Sequence, residues 1–207
     1  RYFVDKKNVN VLQRDKLGNT LLQEAQLAGA SDIVKYLTDE KGLRVDEKDK
    51  EGNTPLHKAA REGNLTLVKS LFDEGSDINA KNQEGVTPLF SATYAQHPDT
   101  LQYFVDEVKL DATQKDTNGN TLLHAASDAG SLEIVNYLID KKHLPVNETN
   151  DDEETCLHKA AWKGHLTVVK TLVEKGADIA ATTEKGRTPV SYAAYGPANN
   201  NTDHLDV

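Results

Sequence analysis

The stretch EETCLHKAAWKGH, beginning at residue 153, holds the only cysteine of the chain, Cys156. His158 follows two residues later and His165 seven after that. A thiol beside an imidazole is the composition of a nucleophile pair, in which the neighbouring base draws off the thiol proton. Thiolate and imidazole are also the ligands of a soft or borderline metal ion. Just upstream, residues 150–154 read NDDEE, four carboxylates in five residues and the ligand type of a hard cation. That run lacks both the glycine and the alternating acidic spacing of a calcium loop, and reads instead as a solvated acidic tip. Paired-cysteine zinc spacing, His-Glu-x-x-His and a glycine-rich phosphate loop ending in lysine are all missing from the sequence. What Cys156, His158 and His165 are for depends on what stands at the same phase elsewhere.

Elsewhere the same phase recurs. The stretches GNTLLQEAQLAG, GNTPLHKAAREG, GVTPLFSATYAQ, GNTLLHAASDAG, EETCLHKAAWKG and GRTPVSYAAYG align on Thr20, Thr54, Thr87, Thr121, Thr155 and Thr188, spaced 34, 33, 34, 34 and 33 residues. Such a period is the signature of a repeat architecture. Threonine is a good N-cap, its hydroxyl accepting from an orphan N–H of the first turn. Pro55, Pro88 and Pro189 follow at the first helical position, where a missing N–H costs nothing. Leu21, Leu122 and Cys156 replace proline in the other three units, and threonine still starts the helix. A leucine and a pair of alanines then give one apolar face at helical spacing, small enough for a neighbouring helix to approach. Gly29, Gly63, Gly130 and Gly164 end this short helix, where a left-handed residue is wanted.

A second, more apolar helix follows, as in LTLVKSLF from residue 65 and LEIVNYLI from residue 132. A turn at Gly75 or Gly176 closes it, and an extended DINA or DIAA stretch leads to the next turn. Each unit therefore reads as finger, helix, turn, helix, and none buries its apolar face alone, so neighbours must stack. Departures sit at the turns. Gln96 replaces the helix-ending glycine of the third unit, Glu153 the finger glycine of the fifth, and PANNNT at 197–202 lengthens the last inter-helix loop.

With TPLHKAA recurring at this period, the chain resembles the ankyrin repeat family over nearly its whole length. The resemblance implies an all-α ankyrin-repeat solenoid, stacked helix–turn–helix units with hairpin fingers. Residues 1–207 then form one ankyrin-repeat domain: the end of a preceding repeat at 1–14, repeats at 15–48, 49–81, 82–115, 116–149 and 150–182, and an incomplete one at 183–207. The chain opens on Arg1, has no methionine and ends on HLDV, much like HLTV at 165–168, which reads as a section of a longer array. The resemblance also gives His57, His124 and His158 a structural role, bonding finger to helix between adjacent repeats. Gln23, Phe90 and Ser191 fill the same place in the other units, so the position is scaffold rather than chemistry. Cys156 becomes a substitute for a helix-first proline, and His165 opens a second helix. No catalytic residue, cofactor or metal is expected, and the segment is not read as an enzyme.

Lys and Arg number 24 against 33 Asp and Glu, a net charge of −9, with the two signs interleaved. That balance argues against binding nucleic acid, which requires a clustered basic surface. No apolar run is long enough to span a bilayer. One cysteine excludes an intrachain disulfide and fits a reducing compartment, so a cytoplasmic location is expected. Asn64, Asn147 and Asn200 sit in glycosylation-type triplets, with nothing else pointing to secretion.

The expected function is a non-catalytic protein–protein interaction scaffold, a monomer that binds a protein or peptide on its fingers and first helices. Seven residues after the threonines stand Leu27, Arg61, Tyr94, Asp128, Trp162 and Tyr195, away from the stacking face. Exposed Trp, Tyr and Arg are enriched among binding hot spots; the alternative is that each ring packs on the next unit's finger. The candidate surface is Tyr94, Trp162, Tyr195, Arg61, Asp128 and Lys163, with fingertip residues Lys50, Glu51 and Asn53 of the second unit and Asp151, Asp152 and Glu154 of the fifth. The alternative reading is the targeting or substrate-recruiting arm of a larger multidomain enzyme, toxin or host-directed effector.

Overall fold

Each repeat begins with a short polar side chain that folds the backbone onto itself. Asp49 Oδ1 accepts the N–H groups of Glu51 and Asn53, each at 2.9 Å, and Asp116 Oδ1 those of Asn118 and Asn120 at the same distance. Asn82 and Asn150 do the same work in their fingers. The loop turns at a left-handed residue, Gly52, Gly85, Gly119 or Gly186, and in the fifth finger at Glu153 with φ 58°. Short antiparallel bridges such as Lys115 to Thr121 and Thr149 to Thr155 then return the chain to the capping threonine.

The computed structural model describes residues 10–16 and 19–196; expectations for 1–9 and for the 197–202 loop and HLDV lie outside them. Two compact units divide the chain, Arg1–Ala92 and Thr93–Val207. The first holds helices α1 (Leu21–Leu27), α2 (Ser31–Lys35), α3 (Pro55–Arg61) and α4 (Leu65–Asp73), and α5 (Pro88–Tyr94) straddles the boundary. The second continues with α6 (Pro98–Gln102), α7 (Leu122–Ala129), α8 (Leu132–Asn136), α9 (Cys156–Lys163), α10 (Leu166–Glu174) and α11 (Pro189–Tyr195).

The alternation between 33 and 34 residues has a physical counterpart. In the three 34-residue units the second helix ends in a π-helical turn, Tyr36–Glu40, Tyr103–Glu107 and Tyr137–Lys141. In the 33-residue units α4 and α10 stay α-helical to the end. The closing bond shows where the extra residue goes. It spans six residues in Leu43 N–H to Leu37 O, Leu110 to Phe104 and Leu144 to Leu138, but five in Ser76 to Leu71 and Ala177 to Leu172. An insertion absorbed as one wide turn leaves the apolar phase of the helix intact.

Apolar faces meet as the patterning demands. In the first unit Leu22, Leu37, Leu56, Ala59, Ala60, Val68 and Leu71 are buried, and in the second Phe104, Leu122, Leu123, Ala125, Ala126, Ile134, Leu138, Ala160 and Leu172. Each large side chain so buried contributes about 1.5–3 kcal/mol of transfer free energy, and the paired alanines let α9 pack closely on both α7 and α11. Val190 of α11 is the exception, 71% exposed where the matching Leu56, Leu89, Leu123 and Leu157 are at most 2% exposed.

One local expectation is corrected. The DINA and DIAA segments are tight turns rather than extended chain, closed by Ala80 N–H to Asp77 O and Ala181 N–H to Asp178 O. Asp77 carries its own turn-forming carboxylate, which accepts the N–H of Asn79 at 3.0 Å.

Candidate functional site

The cysteine and the two histidines of the opening stretch do not converge. Cys156 Sγ donates to the carbonyl of Val146 at 3.1 Å and is buried. Burial pushes its thiol up to about 12, the direction opposite to that of an activated nucleophile. His158 receives the Thr155 N–H on Nδ1 at 3.1 Å and donates from Nε2 to the carbonyl of Arg187 at 3.1 Å. His165 donates from Nε2 to Asp128 O at 2.9 Å, a bond across 37 residues that ties the start of α10 to the end of α7. Among the described residues no group of three His, Cys, Asp or Glu side chains is placed to hold a metal ion. Two open clefts, about 530 and 470 Å³, are lined largely by charged side chains, unlike the apolar pocket of a small-molecule site.

What the second unit does bring together is an aromatic group on its first helices. The Trp162 ring stands edge-on to Tyr192 of α11, centroids 5.7 Å apart, and Tyr192 stands edge-on to His158 at 5.1 Å. Tyr192 also donates to Glu154 Oε1 at 2.7 Å. Burial and that carboxylate raise its phenol to about 12. Trp162 is half-buried by this stack. The backbone of Gly196 lies so close to the Trp162 carbonyl that a Cβ there would overlap it. Tyr195, by contrast, is 76% exposed.

The remaining candidates divide between surface and interior. Arg61, Lys50, Glu51, Lys163, Asp151 and Asp152 are exposed. Asp128 is half-buried, 3.7 Å from Lys163 Nζ. Tyr94 is half-buried, its hydroxyl donating to Asp116 Oδ2 of the next finger at 3.3 Å. Asn53 and Glu154 are not fingertip groups: they are only 6% and 9% exposed, at the finger bases. Asn53 accepts from Asn82 Nδ2 at 2.9 Å, and Glu154 is bonded by Lys159, Tyr192 and Asn150. Burial alone would raise the Glu154 carboxyl, but these donors outweigh it and hold the group below its ordinary range.

Sequence reasoning missed two features of this surface. Tyr192 escaped notice because it stands four residues after Thr188, where the other units have Glu24, Lys58, Ser91, Ala125 and Lys159. An aromatic residue at that place was the available signal. The histidines also complete a capping box: Thr54 and Thr121 donate their backbone N–H to the Nδ1 of His57 and His124 at 3.1 and 3.3 Å. The signal was their spacing of three from the capping threonine.

Paired helices, left-handed fingers and, within each unit, first helices stacked on those of the next repeat define a helical-repeat protein. A family model of ankyrin repeats in three copies matches residues 1–82 and 59–148, and one of ankyrin repeats in many copies matches 138–193. The chain belongs to the ankyrin repeat family. No curated protein matches it. Ankyrin repeats are in general protein–protein interaction modules and typically non-catalytic, and among the described residues no helix is long and apolar enough to cross a membrane.

Proposed function

We propose that the chain is a non-catalytic interaction scaffold whose second unit holds a protein or peptide segment against its first helices. The observation that carries this reading is the pair Trp162 and Tyr195, aromatic side chains at the outward position of α9 and α11, one half-buried on a supporting tyrosine and the other 76% exposed. A ring held by a neighbour loses little side-chain freedom on binding, which is what makes aromatic anchors effective. Asp151 and Asp152 stand on the exposed tip of the fifth finger, so the partner carries basic residues that meet them, and these charges set on-rate and selectivity more than affinity. Binding by a monomer in a reducing, cytoplasmic setting accords with the buried free thiol of Cys156.

The test is affinity capture with the intact chain, repeated with Tyr195→Ala and with Asp151→Lys/Asp152→Lys. Each exposed substitution should leave the fold intact. Truncating the tyrosine should weaken capture by about 2 kcal/mol or more if it is an anchor. Charge reversal should slow association and flatten its salt dependence. Equal capture of the same proteins by all three would show that the partner binds elsewhere.

A further inference from the structure

Three helix starts share an arrangement that fixes the charge of the side chain inside it. The backbone N–H groups of Thr54, Thr121 and Thr155 point at Nδ1 of His57, His124 and His158, at 3.1, 3.3 and 3.1 Å. On the far side of each ring Nε2 meets a carbonyl of the next finger, Val86 O and Glu154 O at 2.9 Å and Arg187 O at 3.1 Å. An N–H only donates and a carbonyl only accepts, so each ring must be neutral with its proton on Nε2. A second proton would sit on Nδ1 against the threonine N–H, with only the threonine Oγ1, 2.8–2.9 Å away, to accept it. The ring would then lose its bond from the backbone of the helix start and carry a buried charge, since all three histidines are at most 1% exposed.

The molecule contains its own control. In the first repeat Gln23 makes the same two bonds, accepting the Thr20 N–H on Oε1 at 2.8 Å and donating from Nε2 to Glu47 O at 2.5 Å. An amide bridges helix start and next finger as the imidazole does, yet has no proton to gain.

We propose that His57, His124 and His158 are acid-operated latches between a capped first helix and the finger of the following repeat, while the Gln23 joint stays closed. Facing His57 are Lys48 and Asp49, together with the carbonyls of Val86 and Ala80. Lys159, Lys115 and Glu148 face His124, and Lys159 and Glu154 face His158, with Tyr192 on its ring. These charges are of both signs, and burial dominates in each case, holding the three imidazoles below their ordinary range. The unfolded chain therefore binds protons first. The stabilisation is fully present above the unfolded value of about 6.5 and is lost as pH falls from there toward the lower folded values. The consequence is largest at His158, because the Tyr192 ring that supports Trp162 also rests on it. That last link alone rests on the interaction surface proposed above; the latch does not.

The experiment follows the thermal midpoint and amide protection of the whole chain between pH 7.5 and 5, a window above the range of its paired carboxylates. Wild type is compared with His57→Gln/His124→Gln/His158→Gln, which copies the Gln23 bridge at every latch. In wild type the midpoint should drop on acidification, and protection at Thr54, Thr121 and Thr155, corrected for intrinsic exchange, should fall by about tenfold per pH unit relative to Thr20. The glutamine variant should show a nearly flat midpoint. An equal acid loss in both proteins would overturn the proposal. If the triple variant does not fold, NMR titration of the wild-type rings decides the matter alone: native values clearly below 6.5 support the latch, and values at or above it overturn it.

Discussion

The second and fifth repeats start with nearly the same residues, GNTPLHKAAREG against EETCLHKAAWKG, and reach the same local solution by different means. In both, a lysine four residues after the capping threonine turns back to a carboxylate at the finger base. The carboxylate has changed places. In the second repeat the acid is Asp49, which opens the finger, and an amide, Asn53, closes it; in the fifth the amide Asn150 opens and the acid Glu154 closes. Lys58 lies 2.9 Å from Asp49, and Lys159 is paired with Glu154. In either order the finger base keeps one carboxylate, which pairs with the lysine, and one amide, which bonds the asparagine of a neighbouring finger. What the two regions do not share is the outward position, where the second repeat has exposed Arg61 and the fifth has Trp162 leaning on Tyr192. The scaffold tolerates exchange where the sum of donors and acceptors is kept, and the surface varies freely.

The pairing is the place to break this equivalence with the largest effect. Lys58 and Asp49 are almost fully enclosed, with side chains 9% and 5% exposed, and Lys58 also reaches Asn19 of the preceding finger. Lys58→Met should cost about 3–5 kcal/mol, since it strands a buried carboxylate. Lys159→Met, whose pair is more open, should cost about 1–3 kcal/mol. Urea unfolding of the two variants checks the order, and a smaller loss at Lys58 would contradict the burial argument. Between these, Gly52→Ala should cost roughly 2 kcal/mol, because its left-handed φ of 81° disfavours a side chain and the new Cβ would press on the backbone of Gln83. Gly196→Ala should be similar, at about 1–3 kcal/mol by overpacking against the Trp162 carbonyl. Its distinct signature is a red shift of the emission of Trp162, the only tryptophan, as α11 is pushed away.

How much of this was legible beforehand differs by layer. The threonine caps, alanine faces and left-handed glycines were readable because each answers a local demand of the backbone. Gln96 and Glu153 were readable as well, since they stand where glycine recurs, and both are left-handed with φ 62° and 58°. The π turns were visible only as a count, 34 against 33, because which helix absorbs a residue is decided by packing. Glu154 was misplaced for a related reason: the run NDDEE reads as one acidic tip, but the finger turns within it, leaving Asp151, Asp152 and Glu153 outside and drawing Glu154 in. The support of Trp162 was not legible from its own repeat, since it comes from Tyr192 in the next one.

The fifth finger offers a gain where the second offers only losses. Glu153→Gly should stabilise the protein by up to about 1 kcal/mol, because a left-handed non-glycine residue is strained by roughly that amount and glycine is not. The net gain is trimmed by glycine's greater freedom in the unfolded chain. A lower unfolding midpoint for this variant would show that Glu153 makes a compensating contact.

The smallest effect is expected at the residue that first suggested chemistry. Cys156 occupies the first position of α9, as Pro55 does in α3, and Thr155 before it has the extended backbone, ψ 167°, that a following proline requires. Cys156→Pro removes the hydrogen bond from Sγ to Val146 O, while proline restricts the unfolded chain and fits the start of a helix. These terms oppose each other, so stability should change by less than about 1 kcal/mol. The same burial makes the wild-type thiol slow to react with an aromatic disulfide reagent until the chain unfolds. Rapid labelling of the folded protein, or a large loss on substitution by proline, would mean that Cys156 does more than begin a helix.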